Sequence, residues 1–149
     1  MKYEFSKFHV LPIPFERTVS YGKGTSRGPE VIIDASNQLE RIHDGPCDYG
    51  IYPHSQLNCS LSFDNIFKNI EDIICQISSK DKIPVSLGGE HSITYGIIKG
   101  LKKNYLNLKK DFGVIQFDAH ADLRKEYNGN KHSHATVMYK LIQEDVKIF

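Results

Sequence analysis

The run Ile83 to Leu87 (IPVSL) is apolar and short, and it stops at Gly88-Gly89. A helix-spaced stripe then starts at once, with Ile93, Ile97, Leu101 and Tyr105 four residues apart. After a basic loop a second apolar run, Phe112 to Phe117 (FGVIQF), ends in Asp118. Strands that alternate with helices constrain the fold strongly. Parallel neighbours need a crossover, and the helices between them supply it. Such a sheet is covered on both faces, and its ligands gather beyond the carboxyl ends of the strands. The predicted class is α/β with a mainly parallel sheet.

The remaining elements fit that plan. His9 to Phe15 (HVLPIPF) reads as a first strand, with two prolines that suggest a sheet edge or an early exit. Residues Glu16 to Pro29 read as loop, and Pro29 is placed to open a helix through EVIIDASNQLERI. Ile32, Ala35, Leu39 and Ile42 would form its apolar stripe. His43 to Ser60 is turn-rich, with a short strand near Tyr49 to Tyr52. From Ser62 the spacing of Phe63, Ile66, Phe67, Ile70, Ile73, Ile74 and Ile77 predicts a helix buried on one face. Ser133 is placed to cap a last helix with Val137, Met138, Leu141 and Ile142 inside. Val146 to Phe149 starts a further strand. About four strands would leave an unprotected edge. Residues 1–149 are therefore expected to be the N-terminal portion of a single domain, with the remainder on a longer chain or a second chain.

Composition narrows the function classes. The 19 Lys+Arg against 18 Asp+Glu leave a net charge of +1, which gives no global reason for a nucleic-acid partner. Basic pairs such as Lys102-Lys103 and Lys109-Lys110 read as solvated faces. Cys47, Cys59 and Cys75 show no paired metal spacing and are odd in number, against a disulfide framework. No apolar run is long enough to span a membrane, and MKYEFSKF is too polar for a signal segment. A cytoplasmic location is expected.

Polar clusters follow the strand candidates. In Asp118-Ala119-His120-Ala121-Asp122 three donor residues alternate with alanines. A continuing strand would put all three on one side. A bend would still allow close backbone approach past the small alanines. Crowded carboxylates and an imidazole are relieved by a divalent cation. Carboxylates favour manganese or magnesium, and histidine shifts the choice toward manganese, iron or zinc. Taken singly, Asp118 can cap a turn, His120 can be an interior histidine and Asp122 can face solvent. Gly88-Gly89-Glu90-His91-Ser92 puts His91 at a helix start near the same edge, where a plain glycine turn is the alternative. Lys131-His132-Ser133-His134 offers a histidine for proton transfer near neutral pH. No order of Ser or Cys with His and an acid names a covalent nucleophile.

The segments SYGKGTSRGPEVIIDAS, PVSLGGEHSITYG, VIQFDAHADLR and SHATVMYKL together resemble the N-terminal half of a ureohydrolase of the arginase/agmatinase family, most like an agmatinase. The pairing of GGEHS with DAHAD carries most of that resemblance. It implies a three-layer α/β/α, arginase-like fold, incomplete here at the C-terminus, around two Mn(2+) ions. His91 resembles a ligand of the first metal, and so does Asp122. Asp118 resembles a carboxylate shared by both ions, and His120 a ligand of the second. His134 resembles the histidine that shuttles protons beside the substrate. His132 receives no direct role. The family's two further aspartates, from an SxDxDxxDP-like segment, and a later glutamate that holds the guanidinium have no counterpart in these residues.

The implied activity of the intact protein is hydrolysis of agmatine to putrescine and urea, a step in polyamine biosynthesis. Another guanidino compound or formiminoglutamate is the alternative. Arginine is disfavoured because no HTDIN arrangement is present and Leu123-Arg124 follow Asp122. The implied partner is a small cationic guanidino substrate, and family members commonly form homo-oligomers. A noncatalytic interaction protein, or half of a split enzyme, is the reading from a different class.

Overall fold

The computed structural model describes residues 2–40, 45–107 and 112–149. In chain order its elements are β1 (Phe8–Ile13), α1 (Gly28–Ser36), β2 (Ile51–Pro53), α2 (Phe63–Ser78), β3 (Ile83–Gly88), α3 (Thr94–Asn107), β4 (Gly113–Val114), α4 (Val137–Gln143) and β5 (Lys147–Ile148). Every strand pairing is parallel. The architecture is the three-layer α/β/α arrangement with a mainly parallel sheet, as expected. Among the described residues the sheet is in two pieces, in the orders β2-β1-β3 and β4-β5.

β1 is a central strand, not the edge that its prolines suggested. The reason is local. β2 covers only Phe8 to Val10, so the sheet on that side has ended before Pro12. The Pro12 carbonyl accepts the Leu57 N–H, and Pro12 itself stands opposite Leu87 of β3. Its missing N–H therefore falls where no ladder partner is required.

α2 follows its sequence pattern closely. The Ser62 hydroxyl accepts the Asn65 N–H at 3.4 Å, capping the first turn. Ile66, Phe67, Ile70, Ile74 and Ile77 are buried, and most of them pack with Leu11, Ile13 and Phe15 from β1 and its exit. Full burial of each such side chain stabilises by roughly 1.5–3 kcal/mol. α3 lies hard against α2: a Cβ on Gly100 would stand 2.6 Å from the Glu71 carbonyl oxygen. α3 also joins the two halves of the core. Ile93, just before it, belongs to the β1–α2 cluster, while Ile98 packs with Val137, Met138, Leu141 and Val146.

Other expectations shift at their edges. α1 ends at Ser36, and Ile42 lies outside the described residues. Its expected stripe is not buried, since Ile32 is 51% and Leu39 78% exposed. Among the described residues no layer covers that side. The strand near Tyr49 begins at Ile51, with Tyr49 in a 3-10 turn. The second apolar run is a strand only at Gly113 and Val114, with one more hydrogen bond from the Gln116 N–H to the Phe149 carbonyl, and Phe117 beyond it is 96% exposed. In α4, Ile142 is exposed while Val137, Met138 and Leu141 are inside. Among the described residues no helix is long and apolar enough to cross a membrane.

Candidate metal centre

The site begins where β3 ends. Gly89 N–H donates to the Ile13 carbonyl at 3.2 Å, and Glu90 N–H donates to the Phe15 carbonyl at 2.8 Å. These bonds hold the turn against the end of β1. A 3-10 turn, His91–Ile93, then opens directly into α3. The His91 Nδ1 lies 3.1 Å from the Thr94 hydroxyl. A proton on Nδ1 donated to that hydroxyl would leave Nε2 as the metal-competent atom.

The second contributor is a bend rather than a strand. Beyond Gln116, whose N–H still donates to the Phe149 carbonyl at 3.1 Å, the chain leaves the neighbouring strand, and Asp118 Oδ1 accepts the His120 N–H at 2.8 Å. This Asx turn folds the DAHAD segment back on itself. The His120 N–H holds the Asp118 carboxyl below the usual carboxylate range, against an upward push from burial. Gln116 and His91 add to the lowering. Asp122 takes φ 49°, a left-handed conformation that Asp tolerates better than most residues. Its carbonyl accepts the Tyr139 N–H at 3.3 Å, which ties the bend to α4.

His91, Asp118 and Asp122 are brought together. One ligand atom from each lies within 4.8 Å of the others. His91 Nε2 is 3.4 Å from Asp122 Oδ2 and 3.9 Å from Asp118 Oδ2. That nitrogen is buried and makes no hydrogen bond. An unpartnered buried imidazole nitrogen facing two carboxylates is costly, and a cation removes the cost. The donor set of one imidazole and two carboxylates thus fits a divalent metal.

His120 stands outside this group. Its side chain is 82% exposed, with Nδ1 3.3 Å from Asp118 Oδ1. It still lines the same cavity, of about 950 Å³, together with His91, Asp122, Arg124, Tyr127 and His134. His134 starts a 3-10 turn for which Ser133 is the cap, its hydroxyl accepting the Ala135 N–H at 3.3 Å. The turn runs into α4, and the His134 Nε2 lies 3.2 Å from Ser20 Oγ. His132 is elsewhere. It stacks on Phe63 at 5.3 Å, and its Nδ1 is 3.2 Å from Lys140 Nζ. Burial, helped by Lys140, lowers its pKa.

Sequence reasoning did not single out Thr18, Ser20, Glu90 or Tyr127 as individual site residues. Glu90 had a visible signal, being a carboxylate between a double glycine and a candidate ligand. Thr18 and Ser20 had none, because their partners are distant in the chain: Glu90 lies 72 residues from Thr18, and His134 more than a hundred from both.

Residues 6–148 match the profile described as Arginase family. A Synechocystis sp. protein named N(1)-aminopropylagmatine ureohydrolase is 37% identical over 144 residues, covering 90% of this chain and 46% of that protein. A Bacillus cereus protein named agmatinase is 32% identical over 151 residues, covering 93% of this chain and 48% of that protein. The crystal structure of agmatine ureohydrolase of Thermoplasma volcanium is similar with TM-score 0.83 and 31% identity, over 98% of this chain and 48% of that one. The chain spans about half the length of the curated relatives it matches. A profile match over nearly every residue, on a fold of the same layers, leads to one conclusion: the chain belongs to the arginase family.

Proposed function

We propose that residues 1–149 are the N-terminal portion of one ureohydrolase domain, and that the intact protein hydrolyses agmatine to putrescine and urea at a two-manganese centre. The observation that carries this reading is the convergence of the buried, unpartnered His91 Nε2 with the Asp118 and Asp122 carboxylates, beside a cavity lined by His91, Asp122 and His134. His91 and Asp122 would hold the first ion, Asp118 would be shared, and His120 would serve the second. A pair of divalent ions supplies a more acidic water that is active near neutral pH.

The chain's own residues account for the rest. A guanidinium is cationic, and the Asp122 carboxylate in the cavity wall, with Asp118 beside it, gives a negative field that draws it in. The leaving alkylamine needs a proton as the carbon–nitrogen bond breaks. His134 is the group in the cavity suited to deliver it. Two further carboxylate ligands and a guanidinium-binding carboxylate would come from the part of the domain beyond these residues.

A second substrate has specific support. The Synechocystis relative, at 37% identity, is named for N(1)-aminopropylagmatine rather than agmatine. The test is urea and amine release from both compounds with added manganese. It is run on this chain and on one lengthened to match its relatives, alongside elemental analysis. Agmatine turnover that depends on manganese, with metal content lost in His91→Ala, is expected of the longer chain. Metal-independent turnover, or metal content indifferent to His91, would overturn the reading.

A further inference from the structure

The strongest feature not absorbed by the metal ligands is a chain of hydrogen bonds that runs from a buried carboxylate to His134. Glu90 is 5% exposed. Its Oε1 accepts the Ser92 hydroxyl at 2.9 Å. Its Oε2 accepts two donors from one residue, the Thr18 N–H at 2.7 Å and the Thr18 hydroxyl at 2.9 Å. An ionised carboxylate only accepts, so the Thr18 hydroxyl proton is committed to Glu90.

The Thr18 oxygen is then left with two lone pairs and no proton to offer elsewhere. Both lone pairs face His134. Its backbone N–H donates to Thr18 Oγ1 at 3.0 Å, and its Nδ1 lies 3.3 Å from the same oxygen. An oxygen that can only accept requires Nδ1 to carry the proton. In the neutral ring the bare nitrogen is therefore Nε2, the atom beside Ser20 Oγ, with Tyr127 Oη 3.2 Å beyond that hydroxyl.

We propose that Glu90, acting through Thr18, is a positioning residue that fixes the tautomer and ring orientation of His134, with the proton on Nδ1 and Nε2 left bare, as the atom that takes up and delivers a proton beside Ser20. The role of His134 in proton delivery rests on the function proposed above, but the tautomer does not. The logic is that of a carboxylate that orients a catalytic imidazole, here with a hydroxyl interposed. It also explains why a carboxylate is buried one residue before a candidate metal ligand while pointing to another residue. Two contacts compete with the relay: the Ser20 hydroxyl, which while donating to Tyr127 Oη at 3.2 Å can only accept from Nε2, and the Ser133 hydroxyl. Ser133 Oγ is also 3.3 Å from His134 Nδ1. That oxygen already accepts the Ala135 N–H. With its own proton turned onto Nδ1 it would impose the opposite tautomer.

The test is long-range proton–nitrogen correlation NMR on the histidine-labelled 149-residue chain at a pH where His134 is neutral, without metal or substrate. The expected spectrum has His134 protonated on Nδ1 and bare on Nε2. Thr18→Ser keeps that pattern. Thr18→Val shifts the ring nitrogens toward the mixed or Nε2-protonated pattern, and so does Glu90→Met, with a dispersed amide spectrum as the folding control. A native His134 that carries its proton on Nε2 overturns the proposal before any variant is made. Equal tautomer populations in wild type, Thr18→Val and Glu90→Met overturn it as well. Because no turnover is read, failure of the hydrolase reading leaves these outcomes distinct.

Discussion

Gly89 passes so close to Phe15 that a Cβ on the glycine would stand 2.0 Å from the Phe15 carbonyl oxygen and 2.7 Å from its nitrogen. Both are backbone atoms, so no side-chain rotation relieves the clash. The same contact carries the Glu90 N–H to Phe15 hydrogen bond that aims the following turn. Gly89→Ala is therefore expected to destabilise the chain by about 1–3 kcal/mol or more, the range for overpacking. It should also displace His91 from Asp122. Urea denaturation checks the first effect, and manganese titration of the variant checks the second. An unchanged denaturation midpoint would show that β1 and β3 separate more easily than their pairing implies.

The Thr94 hydroxyl beside His91 Nδ1 leads to a second expectation. Partners of this kind fix a ligand's tautomer, and their loss typically costs 10–100-fold in metal affinity. Thr94→Val keeps the size and removes the hydroxyl. Manganese affinity, measured by calorimetry, should fall by roughly 10-fold or more, while Thr94→Ser should stay near wild type. Equal affinities for all three would mean that Nδ1 needs no partner to hold the ring.

What was legible in advance divides along physical lines. α2 was readable because seven apolar residues at helical spacing leave one face to bury, and Ser62 marks the start. The nearness of His91 to Asp118 and Asp122 was readable because parallel α/β sheets gather polar groups beyond strand ends. How they meet was not. Of the two readings left open for DAHAD, a continuing strand and a bend, the bend is found, and its form, an Asx turn at Asp118 and a left-handed Asp122, depends on local hydrogen bonds. The central place of β1 was hidden because the shortness of β2 cannot be inferred from the prolines of β1. The stripe of α1 was visible, but its burial depends on what lies over it, and periodicity is silent on that.

His134 and His91 should separate cleanly in a chain lengthened to match its relatives. His134 faces Thr18 and Ser20 and is not among the three residues gathered around the candidate metal position. His134→Ala is expected to lower turnover by about 10²–10⁴-fold, the usual contribution of a general acid or base, with manganese content close to wild type. His91→Ala should lower both together. Loss of metal in His134→Ala, by elemental analysis, would make that residue a ligand instead.

A last expectation concerns stability and pH, far from the cavity. His9 is fully buried, and its Nδ1 lies 2.9 Å from the His54 Nε2. One of these nitrogens must donate and the other accept, so the pair cannot be doubly protonated without setting two donors face to face. Tyr3 and Tyr52 pack their rings around the pair and offer no anion. Burial is the main cause that lowers both pKa values. Lys82 and Lys80 add to it at His9, against the backbone of Ser6 and Tyr3, and at His54 the neighbouring His9 adds to it. In the unfolded chain each histidine titrates near about 6.5. Below that pH the unfolded state binds more protons than the folded one, so stability falls as pH falls. The loss runs at up to about 1.4 kcal/mol per pH unit for a group that stays neutral when folded. Carboxylates with lowered pKa values, such as Asp118, act in the same direction but in a more acidic window. Urea denaturation between pH 7.5 and 5 should therefore show a falling midpoint in the wild type and a flatter one in His54→Gln. Parallel slopes in the two proteins would assign the effect to His132 or another group.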